Sequence, residues 1–334
     1  MTSVDSSTRP NPLTEADLER LYSVARTIRA CDARVQKEVK SGALKAATYP
    51  VEGLAGVCAG LALALTKDDY LVSTYRNLGD VIAKGVPLRR VIAEIAGRVT
   101  GVAKGKGGAM HIADSSYGLM TTTGIVGSGL PIATGLALSS VLSGDGRITA
   151  VTFGDGATSI GAFHEAMNLA AVWNLPILFL CQNNQWAEHT PTGDHMVVTE
   201  IAAKAKNYGM RYDTTDGFDA VATAEVLIRA AESIRDGGGP IFVEAVTYRL
   251  SGHTSTADYS YMPKDRLNAA RSAEPVARLR EHLEEMTAVG TERLEKIDQQ
   301  ALAEIEDAFA FAYASDYPDP HEAFTDVFST TTEN

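Results

Sequence analysis

Two short polar turns constrain most of what this chain can fold into. Gly154-Asp155-Gly156 follows a β-branched run at 148–153, and Asn183-Asn184 follows an apolar run at 176–181. The 26 residues between the two turns carry a helical pattern over 161–173. Strand, turn, helix and strand in that order predict a βαβ unit, because parallel neighbours need a crossover of that length. In a doubly wound sheet the carboxyl ends of adjacent strands open on one crevice. Asp155 and Asn184 are therefore expected to face a common point.

The rest of the chain extends this frame. A further strand is expected at 241–248, after a helix over 220–234 and a turn at 236–240. At 14–40 charged residues alternate with Leu18, Leu21, Val24 and Ile28 at helical spacing, and Thr14 or Asp17 stands where a cap belongs. Helical patterns also cover 87–98 and the strongly charged 273–312. The glycine-rich stretches 101–110 and 123–135 are expected to be loops near a ligand. The predicted class is α/β, a doubly wound parallel sheet flanked by helices. A flexible tail at 1–13 precedes one domain over 14–334, whose C-terminal extension, from about residue 273, is helical.

Composition excludes several roles. A net charge of -12 argues against a nucleic-acid partner, which recruits clustered Lys and Arg. The apolar stretch 54–65 is about half the roughly 20 residues that a membrane span needs, so no membrane segment is expected. The first twelve residues lack the basic and apolar regions of a secretory signal. Cys31, Cys58 and Cys181 have neither metal-ligand spacing nor the even count of a disulfide framework, which predicts a cytoplasmic protein.

One carboxylate and one amide converging at strand ends suit Mg²⁺, which favours hard oxygen ligands and shares them with phosphates. Backbone N–H groups of Gly156 and Ala157, where the next helix is expected to begin, would meet those phosphates. A purely structural Asp-Gly turn and Asn-rich loop is the alternative.

GDG followed at this interval by NN resembles the thiamine diphosphate binding motif. The likeness runs from about residue 18 to 258 and is to the α subunits of E1 components of pyruvate, branched-chain 2-oxo acid and acetoin dehydrogenases. It is carried also by Ser73-Thr74-Tyr75-Arg76, KGKGGAMHIAD at 104–114, GIVGSGLPIATG at 124–135 and YRLSGH at 248–253. The resemblance implies the thiamine diphosphate-binding fold, with Asp155, Asn184 and the backbone oxygen of Trp186, in place of the usual Tyr, as metal ligands. It implies Arg76 and Arg249 on the diphosphate, Tyr75 beside the cofactor, and Gly124 and Val126 against the aminopyrimidine. His253 matches the histidine at the entrance used by the lipoyl arm, and His111 a second histidine near the cofactor. Lys104 and Lys106 are read as solvated loop charges.

The resemblance also implies what this chain lacks. A glutamate from a separate pyrimidine-binding domain assists the cofactor in this superfamily, and only one such domain is found here. The second would come from an E1 β subunit in an α2β2 heterotetramer, with a lipoyl E2 or acyl carrier protein as acceptor.

Two departures stand out. Val51-Glu52-Gly53 occupies the place of the usual Gly-Gln-Glu, and Leu78 the place of a histidine after Tyr-Arg. If both side chains face the reacting carbonyl, substrate recognition is altered; if Glu52 turns away after a shift of register, it is not. Three readings follow: decarboxylation of a 2-oxo acid or cleavage of acetoin, two-carbon ketol transfer from a ketose to a carrier, and a non-catalytic regulatory subunit.

Overall fold

A computed structural model describes residues 13–327. Helix α1, Glu15–Ser41, starts on a capping box: Asp17 N–H donates to Thr14 Oγ1 at 3.2 Å and Thr14 N–H to Asp17 Oδ2 at 3.0 Å. It ends on Gly42, whose φ of 79° lies in the left-handed region. Leu18, Leu21 and Ile28 are buried, as their spacing predicts. Most of the expected tail, 1–12, lies outside the described residues.

The sheet has six parallel strands. In chain order they are β1 Tyr70–Thr74, β2 Leu119–Thr123, β3 Thr149–Gly154, β4 Ile177–Asn183, β7 Arg211–Asp216 and β8 Ile241–Val246, arranged β2-β1-β3-β4-β8-β7. A two-residue hairpin, β5 Trp186–Ala187 and β6 Thr190–Pro191, follows β4. The order reverses between β1 and β3, the place where an open α/β sheet parts its helices and leaves a crevice.

Side chains alternate across the sheet. Leu71, Ala150, Leu178, Leu180 and Val243 enter one core, with α1, α2 (Ala55–Ala64), α3 (Leu78–Ala83) and α4 (Leu88–Ile95). Val72, Val151, Phe153, Phe179 and Phe242 enter the other, under α5 (Gly129–Ser143) and α6 (Gly161–Val172). That period of two, apolar on both faces, is the mark of a parallel sheet covered on both sides.

Helices α7 (Thr192–His195), α8 (Ala220–Ser233), α9 (Lys264–Ser272), α10 (Pro275–Met286) and α11 (Thr291–Ala314) complete the chain, with α11 against α1 and α4. The charged C-terminal pattern is therefore two helices, interrupted at 287–290. The expected loop at 123–135 is corrected: α5 begins at Gly129, where a Cβ would lie 3.1 Å from Val72 Cγ1, so this glycine lets a helix approach the sheet. No helix among the described residues is long and apolar enough to cross a membrane.

Candidate active site

Gly154 pairs with Gln182 across β3 and β4, and Asn183 with Val246 across β4 and β8, so both turns leave the sheet at one edge. They open on a cleft of about 400 Å³, within the usual size of cofactor sites. Asp155, Gly156, Ala157, Asn184 and Trp186 line it, and so do Tyr75, Arg76, Gly124, Val126 and His253.

Asp155 is buried, and its Oδ2 accepts from Thr192 Oγ1 at 3.0 Å, with His195 Nε2 3.5 Å away. Burial pushes its carboxyl upward, and Thr192 and His195 oppose that. The two asparagines divide their work. Asn183 Nδ2 donates to Glu244 Oε1 at 2.7 Å, anchoring the turn, while Asn184 faces the cleft and accepts from Trp186 N–H at 3.1 Å.

The Trp186 carbonyl is placed by the hairpin. Thr192 N–H donates to Gln185 O, which makes Trp186 and Pro191 a non-hydrogen-bonded pair and leaves the Trp186 carbonyl outside the ladder. Gly156 approaches Ala187 so closely that a Cβ would lie 2.9 Å from its Cβ. Gly156 and Ala157 belong to a separate one-turn segment, Asp155–Ser159, and α6 begins only at Gly161, which corrects the expected helix start.

Arg249 is buried beside Trp186. Its Nη2 donates to Glu188 O at 2.7 Å and to Tyr261 Oη, while Nε and Nη1 are buried with no partner. Arg249 does not itself line the cleft but lies beside it, its backbone N–H donating to Asn184 O at 3.1 Å, and two open donors on a permanent cation suit an anion such as phosphate. Arg76 is also buried, and burial pushes its guanidinium down to about 10, still cationic at neutral pH. It donates to the carbonyls of Pro50 and His253.

At the mouth Tyr49, Tyr75 and His253 form an aromatic group, with Tyr49 and Tyr75 centroids 4.5 Å apart and Tyr49 and His253 5.3 Å apart. Burial, then the charges of Arg76 and Arg249, push His253 down to about 4, and its Nδ1 is buried without a partner. His111 is exposed and does not line the cleft. It lies behind the cleft wall, where a Cβ on Gly124 would be 3.6 Å from its Cε1.

Both departures fall elsewhere. Glu52 pairs with Arg29 at 3.2 Å and lines a different, shallower pocket, and Leu78 is in the hydrophobic core. From this turn it is Leu54 that lines the cleft. Gly53 makes the turn there with φ of 91°. Lys104 and Lys106 pair with Asp326 at 2.8 and 2.7 Å instead of standing free in solvent.

A family model described as dehydrogenase E1 component matches residues 19–321. The chain belongs to the dehydrogenase E1 component family. The α subunit of acetoin:2,6-dichlorophenolindophenol oxidoreductase of Bacillus subtilis (strain 168) is 37% identical to this E1 chain, over 95% of each. The somatic mitochondrial pyruvate dehydrogenase E1 α subunit of Homo sapiens is 32% identical, over 95% of this chain and 81% of that protein. The Porphyra purpurea pyruvate dehydrogenase E1 α subunit is 33% identical over 81% and 80%. The family implies thiamine diphosphate, a β subunit and a lipoyl or other carrier. The stranded donors of Arg249 fit its diphosphate.

Proposed function

We propose that this chain is the α subunit of an E1 enzyme that, with a β subunit as an α2β2 heterotetramer, cleaves acetoin or decarboxylates a 2-oxo acid. The fragment passes to a lipoyl group on an E2 protein. Residues 14–334 act as one diphosphate-binding domain, and the cytoplasm is the proposed site of action. The observation that carries the reading is that Asp155 and Asn184 line one cleft at the ends of neighbouring strands, with Arg249 held behind them by its N–H bond to the Asn184 carbonyl.

Mg²⁺ fits the donors present. Asp155, Asn184 and the Trp186 carbonyl would give it three hard oxygens, and phosphate and water would complete its shell. Arg249 would hold the diphosphate charge, and the N–H groups of Gly156 and Ala157 would serve it from a turn that packs closely on Ala187 because residue 156 has no side chain. When bound, thiamine diphosphate supplies a nucleophilic carbon and an electron sink. Gly124 and Val126 offer backbone to its aminopyrimidine. Neutral His253 keeps its Nδ1 buried and packs its ring against Tyr49 and Tyr75, which shapes the mouth of the cleft.

The Bacillus subtilis relative, named for acetoin, supports the acetoin branch. Ketol transfer was prompted by Glu52 and Leu78, neither of which lines the cleft. The test is turnover by the chain co-expressed with its β partner, with Mg²⁺ and thiamine diphosphate, on acetoin, pyruvate, branched-chain 2-oxo acids and ketose phosphates. Reduction of an artificial electron acceptor with acetoin or a 2-oxo acid is expected; fragment transfer from a ketose alone would overturn the reading.

A further inference from the structure

Beneath the cleft floor lies a carboxyl group that the reaction as described leaves unused. Asp80, in α3, is 1% exposed, and among the described residues all its hydrogen-bond partners are neutral donors. Its Oδ1 accepts from Gln182 Nε2 at 2.9 Å and Cys58 Sγ at 3.2 Å. Its Oδ2 accepts from Ser73 Oγ and Thr152 Oγ1, both at 2.6 Å. Ser73, Thr152 and Gln182 come from β1, β3 and β4, and all three line the cleft. One acid therefore joins three strands at the point where the sheet order reverses.

The consequence concerns protons. A hydroxyl has one proton and two acceptor sites. Oxygen atoms 2.6 Å apart need a proton between them, and a carboxylate accepting two such contacts draws both hydroxyl protons inward. Thr152 Oγ1 also lies within reach of Ser73 Oγ, at 3.0 Å, but its single proton goes to the shorter contact with Asp80, and neither hydroxyl then has a proton left for the cleft. Burial pushes the Asp80 carboxyl above its ordinary value, and the bonds from Ser73, Thr152, Cys58 and Gln182 offset only part of that.

We propose that Asp80 is a positioning residue that sets the polarity of the cleft floor, making the Ser73–Thr152 patch an acceptor surface for a cationic or proton-donating part of the occupant. The inference rests on the cleft being the Mg²⁺ and thiamine diphosphate site. Within that occupant the chemistry has two sources, the thiazolium ring and water molecules on the metal ion.

Asp80→Asn reverses the polarity while nearly keeping the shape. Its oxygen keeps the Oδ1 place, because the opposite orientation would set its NH2 group against the Gln182 NH2, so the amide nitrogen meets Ser73 and Thr152 as a donor, both hydroxyls accept and their protons turn to the cleft. The experiment uses the assembled α and β chains, wild type and Asp80→Asn. It measures affinity for thiamine diphosphate and for thiamine thiazolone diphosphate, whose ring is neutral, each across a Mg²⁺ titration. A loss of about tenfold for thiamine diphosphate with little change for the neutral analogue assigns the patch to the ring. An increase of about fivefold or more in half-saturating Mg²⁺ with both ligands assigns it to metal-bound water. Unchanged affinities, or an equal loss of both at an unchanged Mg²⁺ requirement, overturn the proposal. Wild type binding neither ligand overturns the cofactor reading instead. If Asp80→Asn does not fold, Ser73→Ala removes one acceptor oxygen and must show one of the same two selective losses, failing which the proposal falls.

Discussion

Glu94, in α4, offers the sharpest test of how the glycine-rich loop is held. It is fully buried, and its carboxylate gathers four backbone N–H groups. Oε1 accepts from Gly107 at 2.8 Å and Gly108 at 3.0 Å; Oε2 accepts from Ala103 at 2.8 Å and Gly105 at 2.9 Å. A Cβ on Gly101 would lie 2.6 Å from Glu94 Cα, so the loop wraps its anchor too closely for a side chain there. Glu94→Gln nearly keeps the shape and removes one acceptor. Whichever way the amide turns, its NH2 group faces two N–H donors. Bonds to a charged acceptor contribute about 1.5–3 kcal/mol, and each stranded buried donor costs about 1–3 kcal/mol, which places the loss on the order of 3–5 kcal/mol. Against a total stability of roughly 5–15 kcal/mol the effect is large. Urea denaturation gives the stability change, and hydrogen exchange of amides 103–108 shows where it is lost. Cofactor affinity should fall as well, since Gly107 packs on the His111 carbonyl. A loss below about 1 kcal/mol with those amides still protected would refute the reasoning.

Other residues make separate predictions. Arg249→Met removes both stranded donors and should weaken thiamine diphosphate binding by about a hundredfold or more, read by fluorescence titration; near-normal affinity would remove Arg249 from the diphosphate site. Gly53→Ala places a Cβ 2.8 Å from Tyr248 O at a φ of 91° and should cost at least about 2 kcal/mol, visible as a lower melting temperature; an unchanged one would show that the turn can relax. Burial pushes the Asp69 carboxyl up, but Arg235, Thr66 and Ile148 more than offset it and leave it below its ordinary 3.8. Its stabilising share is present above that value and fades as pH falls through the lower folded one, so Asp69→Asn should flatten the acid limb of the urea midpoint below about pH 4. His253, pushed down to about 4, should stay neutral through the range where an ordinary histidine titrates. A ring-proton NMR shift moving near pH 6.5 in the folded protein would contradict its burial beside Arg76 and Arg249.

The βαβ core was legible because apolar periodicity and two polar turns agreed. What escaped had no such agreement. β7 reads Arg-Tyr-Asp-Thr-Thr-Asp and lies at the sheet edge, where one side is free and the alternation weakens. In α2, Ala55–Ala64, nearly every residue is buried, so no polar face marks it as a helix. Gly129 of α5 read as loop because its use, close packing on β1, is a tertiary fact. The cleft residues were legible where a motif named them. Their supports, Glu94, Asp80, Thr192, His195 and Glu244, carry no local signal, because each acts on partners distant in sequence. Whether Glu52 faces the cleft was open in the sequence, because its partner Arg29 belongs to a helix distant in the chain.

The two arginines, alike in motif and both cationic, are separated by their partners. Arg76 already donates to the carbonyls of Pro50 and His253, and its guanidinium carbon lies 5.9 Å from the centre of the Tyr49 ring. Its contacts thus hold the mouth, where Tyr49, Tyr75 and His253 meet. Arg249 contacts Glu188 and Tyr261 through Nη2 alone and keeps Nε and Nη1 buried and unmet. A buried donor without a partner costs free energy that an arriving anion returns, whereas a satisfied one gains less from the same anion. Arg249 should therefore dominate diphosphate affinity. Arg76→Lys should disturb the His253 carbonyl and the access to the cleft more than the affinity itself. Measured side by side, Arg76→Lys and Arg249→Lys should differ in kind, the first mainly in substrate KM and the second mainly in cofactor Kd. Equal losses of cofactor affinity would mean that both forks reach the diphosphate and that the Arg76 contacts are surrendered on binding.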